Sequence, residues 1–137
     1  MTARDLMTLA TEVAAPDDTV LDARDRFRDG AFHHLPVVED GRLVGVVSDR
    51  DILRAAGPSL AATPYDPDVG PGIDRTLREV MTRHVVTADP LMSVEEIADT
   101  LLRLDISALP VVEEGCLVGI VTTSDVLRFA AGQERAV

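Results

Sequence analysis

The sequence predicts a mixed α/β (α+β) fold built from two similar halves. Residues 5–56 align without a gap on residues 79–130, and 20 of these 52 positions are identical. Each copy contains two runs of β-branched residues around a glycine turn, which is typical of a β-hairpin. An amphipathic helical pattern precedes each hairpin. Two copies are too few for a solenoid, so we expect a pseudo-twofold pair in which each half buries the other's apolar face.

Composition narrows the classes of function. The chain has 137 residues, 46% of them hydrophobic, which suits one folded domain. Its net charge of −11, from 13 basic and 24 acidic residues, argues against binding to nucleic acid or to an anionic membrane. No apolar run could span a bilayer and the N-terminus lacks a signal-peptide pattern, so we expect a cytoplasmic protein. The one cysteine, Cys116, is expected at the surface as a free thiol, with a cross-chain disulfide left open.

Each copy begins with a short lead and a brief extended segment. The leads are 5–8 and 79–82; the extended segments are 11–13 and 85–87, ended by Pro16 and Pro90. A helix follows, with Ser93 and Glu96 predicting a capping box in the second copy and Thr19 and Asp22 in the same places in the first. The apolar faces of these helices consist of Val20, Ala23 and Phe27, and of Val94, Ile97, Leu101 and Leu104.

The hairpins turn at Asp40 and Gly41 and at Glu114 and Gly115, because glycine tolerates the positive φ of a primed turn. A polar cluster and a second helix follow, predicted over 51–56 and 125–131 and stopped by Gly57 and Gly132. Each copy is thus βαββα. The predicted domain organisation is repeat 1 over 1–56, a Pro- and Gly-rich linker over 57–78 with helix resuming near 75–80, and repeat 2 over 79–137.

One motif ends both hairpins: glycine, two hydrophobic residues, serine or threonine, two variable residues and aspartate. It covers 45–51 and 119–125, and each hairpin begins with the sequence LPVV. In these features the chain resembles the cystathionine β-synthase (CBS) domain family over nearly its whole length, as a stand-alone pair of domains. The resemblance implies two repeats packed sheet to sheet, two clefts that often hold adenine nucleotides or related adenosyl ligands, and assembly of two chains into a disc.

The resemblance also implies the site residues. The ribose-binding aspartates correspond to Asp51 and Asp125, and the hydroxyls that line sugar or phosphate to Ser48 and Thr122. His33 and His34 stand where some nucleotide-binding relatives carry basic residues near phosphate. Cleft A would combine Ser48, Arg50 and Asp51 with Val85, Val86, Ser107 and Ala108. Cleft B would combine Thr122, Ser124 and Asp125 with Thr11, Val13, His33 and His34.

Each of these residue types also has a purely structural explanation. An aspartate at a helix start is stabilised by the helix dipole, and a serine or threonine there caps the helix. One aspartate could serve both purposes, because an ionised carboxylate accepts hydrogen bonds from backbone N–H groups and from ribose hydroxyls alike. The histidines could be ordinary surface residues. The sequence contains no catalytic constellation, no phosphate-binding glycine loop and no convincing metal site.

We therefore expect a non-enzymatic regulatory module that binds AMP, ADP, ATP or a related adenosyl molecule, needs no obligatory cofactor and acts on an unidentified partner protein. The alternative is a structural adaptor with empty clefts that works through protein contacts. We also expect a homodimer, on the reasoning that the apolar helix faces cannot all be covered within one chain of this size.

Overall fold

The computed structural model describes residues 1–9, 12–30, 32–56 and 72–133. It has the predicted mixture of helices and antiparallel strands, which confirms the fold class. Within the described ranges, no helix is long and apolar enough to cross a membrane. The elements in chain order are α1 (Ala3–Leu6), β1 (Thr8–Leu9), α2 (Val20–Asp29), β2 (His34–Glu39), β3 (Arg42–Ser48), α3 (Asp49–Ala56), α4 (Leu77–Val80), α5 (Val94–Leu104), β4 (Ala108–Glu113), β5 (Cys116–Thr122) and α6 (Thr123–Ala130).

The chain divides into two compact units by its internal contacts. Unit 1 comprises Met1–Thr11 and Val85–Val137, and unit 2 comprises Glu12–His84. The repeat and linker boundaries predicted from the sequence describe internal similarity rather than packing, and they stay a prediction.

Unit 2 is built on the hairpin of β2 and β3. The strands pair antiparallel with Leu35 opposite Val47, and the register shifts between Val37 and Val38. Asp40 and Gly41 have φ values of 53° and 80°, which confirms the primed turn. Helices α2 and α3 pack on each other, and their core residues meet the hairpin in one aliphatic cluster whose most buried members are Val20, Ala23, Leu35, Val37, Val47, Ile52 and Leu77.

Unit 1 repeats this arrangement around β4 and β5. Its turn residues Glu114 and Gly115 have φ values of 53° and 82°. Strand β1 adds to the other edge of β5, with Thr8 opposite Ile120. The core of this unit is again aliphatic and includes Ala3, Leu6, Ala88, Val94, Ile97, Leu101, Leu109, Val111 and Val121.

The motif glycines allow a second segment to lie close against each hairpin. A Cβ at Gly119 would sit 2.5 Å from Met7 Sδ and 2.8 Å from the Thr8 carbonyl oxygen. In unit 2, a Cβ at Gly45 would meet Met81 and the Thr82 carbonyl oxygen, which is 2.9 Å away. The glycine of the motif thus has a structural purpose, since a side chain would push this backbone off the strand.

The first strand of each repeat is shorter and later than predicted. Residues 12–13 and 85–87 form no regular strand, and Thr11 lies outside the described residues. Pairing is confined to single parallel bridges, Ala14 with Val37 and Ala88 with Val111. In unit 2 the Ala14 N–H donates to Pro36 O and the Ala14 carbonyl accepts from Val38 N. Pro16 and Pro90 stand two residues after the bridging alanines, where the next N–H would donate to the neighbouring strand. Proline has no N–H, so the pairing stops after one residue.

Helix boundaries also differ in part from the predictions. The leads contain short helices, α1 and α4, and the second helices begin at Asp49 and Thr123, two residues earlier than predicted. Asp51 and Asp125 therefore occupy the third helical position. The Thr19–Asp22 pair at the start of α2 forms the full reciprocal capping box. At the start of α5, Ser93 caps the helix by accepting from the Glu96 N–H, which confirms half of the box predicted there. Gly132 has φ 70° just beyond α6, as expected of a helix stop, whereas Gly57 lies outside the described residues.

The argument that drew a homodimer from uncovered helix faces is wrong. Val20, Ala23, Val94, Ile97 and Leu101 are all at most 7% exposed, and Phe27 packs against the unit 2 core. Each unit covers these faces itself. Leu104 is the exception on the predicted faces, since it is 43% exposed. Other large apolar side chains that stay exposed lie elsewhere, among them Leu53, Leu102 and Leu127.

Candidate functional site

The functional candidates gather at the two junctions where a hairpin ends and a helix begins. In unit 1, Thr122 N donates to Asp125 Oδ2 at 2.8 Å, and Asp125 N donates back to Thr122 Oγ1 at 3.3 Å. In unit 2, Ser48 N donates to Asp51 Oδ2 at 2.9 Å, and Asp51 N donates to Ser48 Oγ at 3.1 Å. Both junctions are reciprocal caps that satisfy N–H groups left open at a helix start. The structural explanation of these four residues is therefore confirmed; a ligand-binding purpose remains to be tested.

The two junction aspartates differ in how much of the carboxylate is accessible. The Asp125 side chain is 5% exposed, and its Oδ1 accepts a 2.8 Å hydrogen bond from Arg128 Nη1. The Asp51 side chain is 26% exposed, and Arg54 Nη1 stays 3.9 Å from its Oδ1. A neighbouring molecule can therefore reach Asp51 more readily than Asp125.

Residues just before each hairpin are tied to the same junction in their own unit. The Asp49 N–H donates to the His33 carbonyl and the Thr123 N–H to the Ser107 carbonyl, both at 3.0 Å. In register, His34 lies opposite Ser48 and Ala108 opposite Thr122. Unit 2 thus brings the histidine pair to Ser48 and Asp51.

The other predicted site residues that the structure describes differ in exposure. Arg50 and Ser124 are exposed in the first turns of α3 and α6, and Val13 and Val86 are exposed in irregular segments. Val85 is half-buried. Both predicted clefts combine residues from the two units, and that grouping stays a prediction.

The histidine pair interacts with an acid that the sequence analysis did not single out. His33 Nδ1 lies 2.9 Å from Asp49 Oδ2, and both side chains are well exposed. Burial lowers the pKa of half-buried His34, opposed by the nearby carboxylates of Asp49 and Asp51 and reinforced by His33. His34 is therefore biased towards the neutral form. The sequence signal for Asp49 was a difference between the copies, since Thr123 stands at the equivalent position.

A cavity of about 330 Å³ lies beside the Asp125 carboxylate within unit 1. Its lining combines α1 with one face of α6: Met1, Asp5, Leu6, Asp125, Arg128, Phe129, Gly132 and Gln133. Hydrogen bonds from the backbone and side chain of Thr2 lower the pKa of Asp5, which favours its charged form. Sequence reasoning identified only Asp125 among these residues; the spacing of 125, 128, 129 and 132 on one helix face was the available signal.

The paired hairpin-helix units, each with a capped polar junction, define a tandem-repeat protein of mixed α and β structure. A sequence profile of the CBS domain matches residues 3–57 and 77–132. The chain therefore belongs to the CBS domain family, as its motifs indicated.

Individual relatives fit this assignment. The chain is 36% identical over 130 residues to the uncharacterised protein MJ1225 of Methanocaldococcus jannaschii, covering 93% of this chain and 46% of that protein. The chain thus spans about half the length of this relative. Its fold is similar to that of CBSX2 in complex with AMP, with a TM-score of 0.79, 30% identity, and 96% of each chain covered. It is also similar to the CBS domain pair of MJ0100 in complex with 5′-methylthioadenosine and S-adenosyl-L-methionine, with a TM-score of 0.77, 28% identity, and 98% of each chain covered.

The lowered pKa of His34 predicts a pH-dependent loss of stability. Burial keeps the pKa of His34 in the folded state below its ordinary value. The protein therefore takes up a proton on unfolding once the pH falls below about 6.5. Stability is therefore full above this pH and is lost as the pH falls through the folded-state pKa. We expect His34→Gln to reduce the loss of unfolding free energy between about pH 7.5 and about pH 5.5, measured by urea denaturation.

The control is His84→Gln, because His84 is exposed and lies outside the junctions. It measures the effect of replacing a histidine elsewhere in the chain, and the slope for His34→Gln is compared with the slope for this variant. The slope, and not the absolute stability, decides the test, since His34→Gln also alters packing. Equal slopes in wild type and His34→Gln would contradict the conclusion that folding lowers the pKa of His34.

Proposed function

We propose that the protein is a non-enzymatic regulatory module that binds an adenosyl ligand, such as AMP, ADP, ATP or an S-adenosyl compound, at the capped junctions. The observation that carries the proposal is the Asp51 carboxylate, which is held by the Ser48 N–H yet remains 26% exposed. The similar structures that hold AMP, 5′-methylthioadenosine and S-adenosyl-L-methionine support the same ligand class.

The chemistry of the unit 2 junction suits a ribose. An ionised carboxylate is an acceptor only, and the vicinal hydroxyls of ribose are donors that it can bind together. The capping hydrogen bonds fix the orientation of Asp51 before a ligand arrives, which lowers the entropic cost of binding. Arg50, exposed one residue before it, supplies a positive charge for a phosphate in a chain whose net charge is −11.

A structural adaptor without ligand is the second candidate. It is favoured by the Asp125 junction, where both carboxylate oxygens already accept hydrogen bonds from this chain. An adaptor would act through its surface, and its junctions would serve only to cap helices. Binding of adenosyl compounds to the wild-type protein separates the two candidates.

Isothermal titration calorimetry with AMP, ADP, ATP, S-adenosylmethionine and 5′-methylthioadenosine tests the proposal. We expect at least one of them to bind wild type, and Asp51→Ala to weaken that binding by roughly ten- to a hundred-fold, the effect of losing a charged hydrogen bond. Asp99→Ala removes the same charge from an exposed site on α5 and should bind as wild type does. Wild type that binds none of the five ligands would favour the adaptor.

We also propose a homodimer formed through exposed helix surfaces. Leu53 and Leu127 occupy equivalent positions in α3 and α6 and are 69% and 63% exposed. Burying these leucines against a second chain would remove apolar surface from water, which favours association. In a symmetric dimer the same surfaces of both chains form the interface, so each of these leucines would be buried on both chains.

Light scattering at micromolar concentration should report a dimer for wild type. The double variant Leu53→Arg, Leu127→Arg should shift the population towards monomer, because it places charges in the proposed interface. Leu91→Arg, at a 73% exposed position before α5, is the matched control and should stay dimeric. A wild-type monomer, or a double variant as dimeric as the control, would contradict this interface.

We further propose that the protein acts in the cytoplasm and regulates a partner protein. The acidic surface disfavours nucleic acid and anionic membranes as targets.

A further inference from the structure

We propose that Arg128 blocks the Asp125 carboxylate and thereby confines high-affinity adenosyl binding to the Asp51 junction. Arg128 is then a specificity-determining residue that makes two junctions of nearly identical sequence unequal. This inference rests on the proposed function.

The Asp125 carboxylate is fully engaged within its own unit. Its Oδ2 accepts hydrogen bonds from the backbone N–H and the hydroxyl of Thr122, at 2.8 and 3.0 Å. Its Oδ1 accepts from Arg128 at 2.8 Å. A hydrogen bond between two charged groups is among the strongest in proteins, and the low exposure of Asp125 limits its screening by salt. Ribose hydroxyls can bind this carboxylate in bidentate fashion only by displacing the guanidinium.

The Asp51 junction lacks this obstacle. Arg54 stands three residues after Asp51, as Arg128 does after Asp125, yet its Nη1 is 3.9 Å from Oδ1. This separation exceeds the range of a hydrogen bond. The Arg54 side chain is 80% exposed, so water competes for its guanidinium. Arg54 and Asp51 form only a loose, solvent-exposed ion pair, so a ligand at Asp51 need not break a hydrogen bond between charged side chains.

The two arginines also have different surroundings. Arg128 is 46% exposed and lines the unit 1 cavity together with Phe129 and Gln133. Ala55 stands where the second copy has Phe129. Asp125 and Arg128 both line this cavity, so the guanidinium and the carboxylate meet at its wall. The cavity itself offers the space beside the carboxylate that a sugar ring would need once the guanidinium has moved.

The test uses 5′-methylthioadenosine as the calorimetric probe, because it carries a ribose and adenine but no phosphate. Removing an arginine therefore cannot weaken its binding through lost phosphate contacts. The variants are Arg128→Ala, the matched Arg54→Ala, Asp51→Ala, and the double variant Asp51→Ala, Arg128→Ala. Arg128→Gln is a second way to remove the charge, because it keeps a polar side chain of moderate length. Thermal unfolding confirms that each variant is folded.

We expect wild type and Arg54→Ala to bind one molecule per chain, and Arg128→Ala and Arg128→Gln to bind a second. The double variant should bind roughly ten- to a hundred-fold more tightly than Asp51→Ala alone, the gain expected when a competing charged hydrogen bond is removed. This gain assigns the new site to Asp125.

Three outcomes would overturn the inference. The double variant could bind no more tightly than Asp51→Ala, or Arg54→Ala could gain a site as Arg128→Ala does. Alternatively, Arg128→Ala could weaken AMP while leaving 5′-methylthioadenosine unchanged, which would make Arg128 a phosphate ligand. Each of these leaves wild-type binding intact. If wild type and every variant fail to bind any adenosyl compound, the proposed function itself is wrong, and the inference falls with it.

Discussion

The reciprocal cap between the strand-end hydroxyl residue and the aspartate three residues later is the interaction on which both units depend. It closes the first turn of α6 through Thr122 and Asp125, and that of α3 through Ser48 and Asp51. Unsatisfied N–H groups at these partly buried helix starts would cost free energy, so each hairpin needs such a residue pair where it ends. The same bonds orient a hydroxyl and a carboxylate in fixed directions. The hydrogen bonds that cap each helix thus also orient a hydroxyl and a carboxylate that a ribose can bind.

Local chemistry made much of the fold predictable from the sequence. The Asp40-Gly41 turn needs positive φ, and Thr19 and Ser93 are good caps. The internal repeat shows the turn and cap patterns in both copies. The first strands were misplaced because one bridging residue, Ala14, leaves almost no periodic pattern to detect. The uncovered helix faces were wrongly inferred because amphipathicity shows that a face is buried but not what buries it; Ile97 is fully covered within its own unit.

The residue types of the candidate site were predictable from the sequence. The difference in accessibility between its two junction aspartates was not. Asp51 and Asp125 share a motif, and both are followed three residues later by arginine, so sequence alone makes them equivalent. Their surroundings differ in the folded chain, because Arg128 Nη1 lies 2.8 Å from Asp125 Oδ1 whereas Arg54 Nη1 lies 3.9 Å from Asp51 Oδ1. Asp49 beside His33 is a similar case, since the hairpin brings together two residues that lie 16 positions apart in the sequence. The two repeats therefore share a backbone arrangement, but the side chains at their junctions differ in accessibility.

Amide hydrogen exchange at Ser48 and Thr122, followed by NMR with and without an adenosyl ligand, tests most directly whether one carboxylate both caps a helix and receives the ligand. Each of these N–H groups donates to the Oδ2 of its own junction aspartate. Both should exchange slowly in the free protein, Asp51→Ala should speed exchange at Ser48 alone, and ligand should slow Ser48 further while leaving Thr122 unchanged. Ser48 exchange that is indifferent to both Asp51→Ala and ligand would contradict the account.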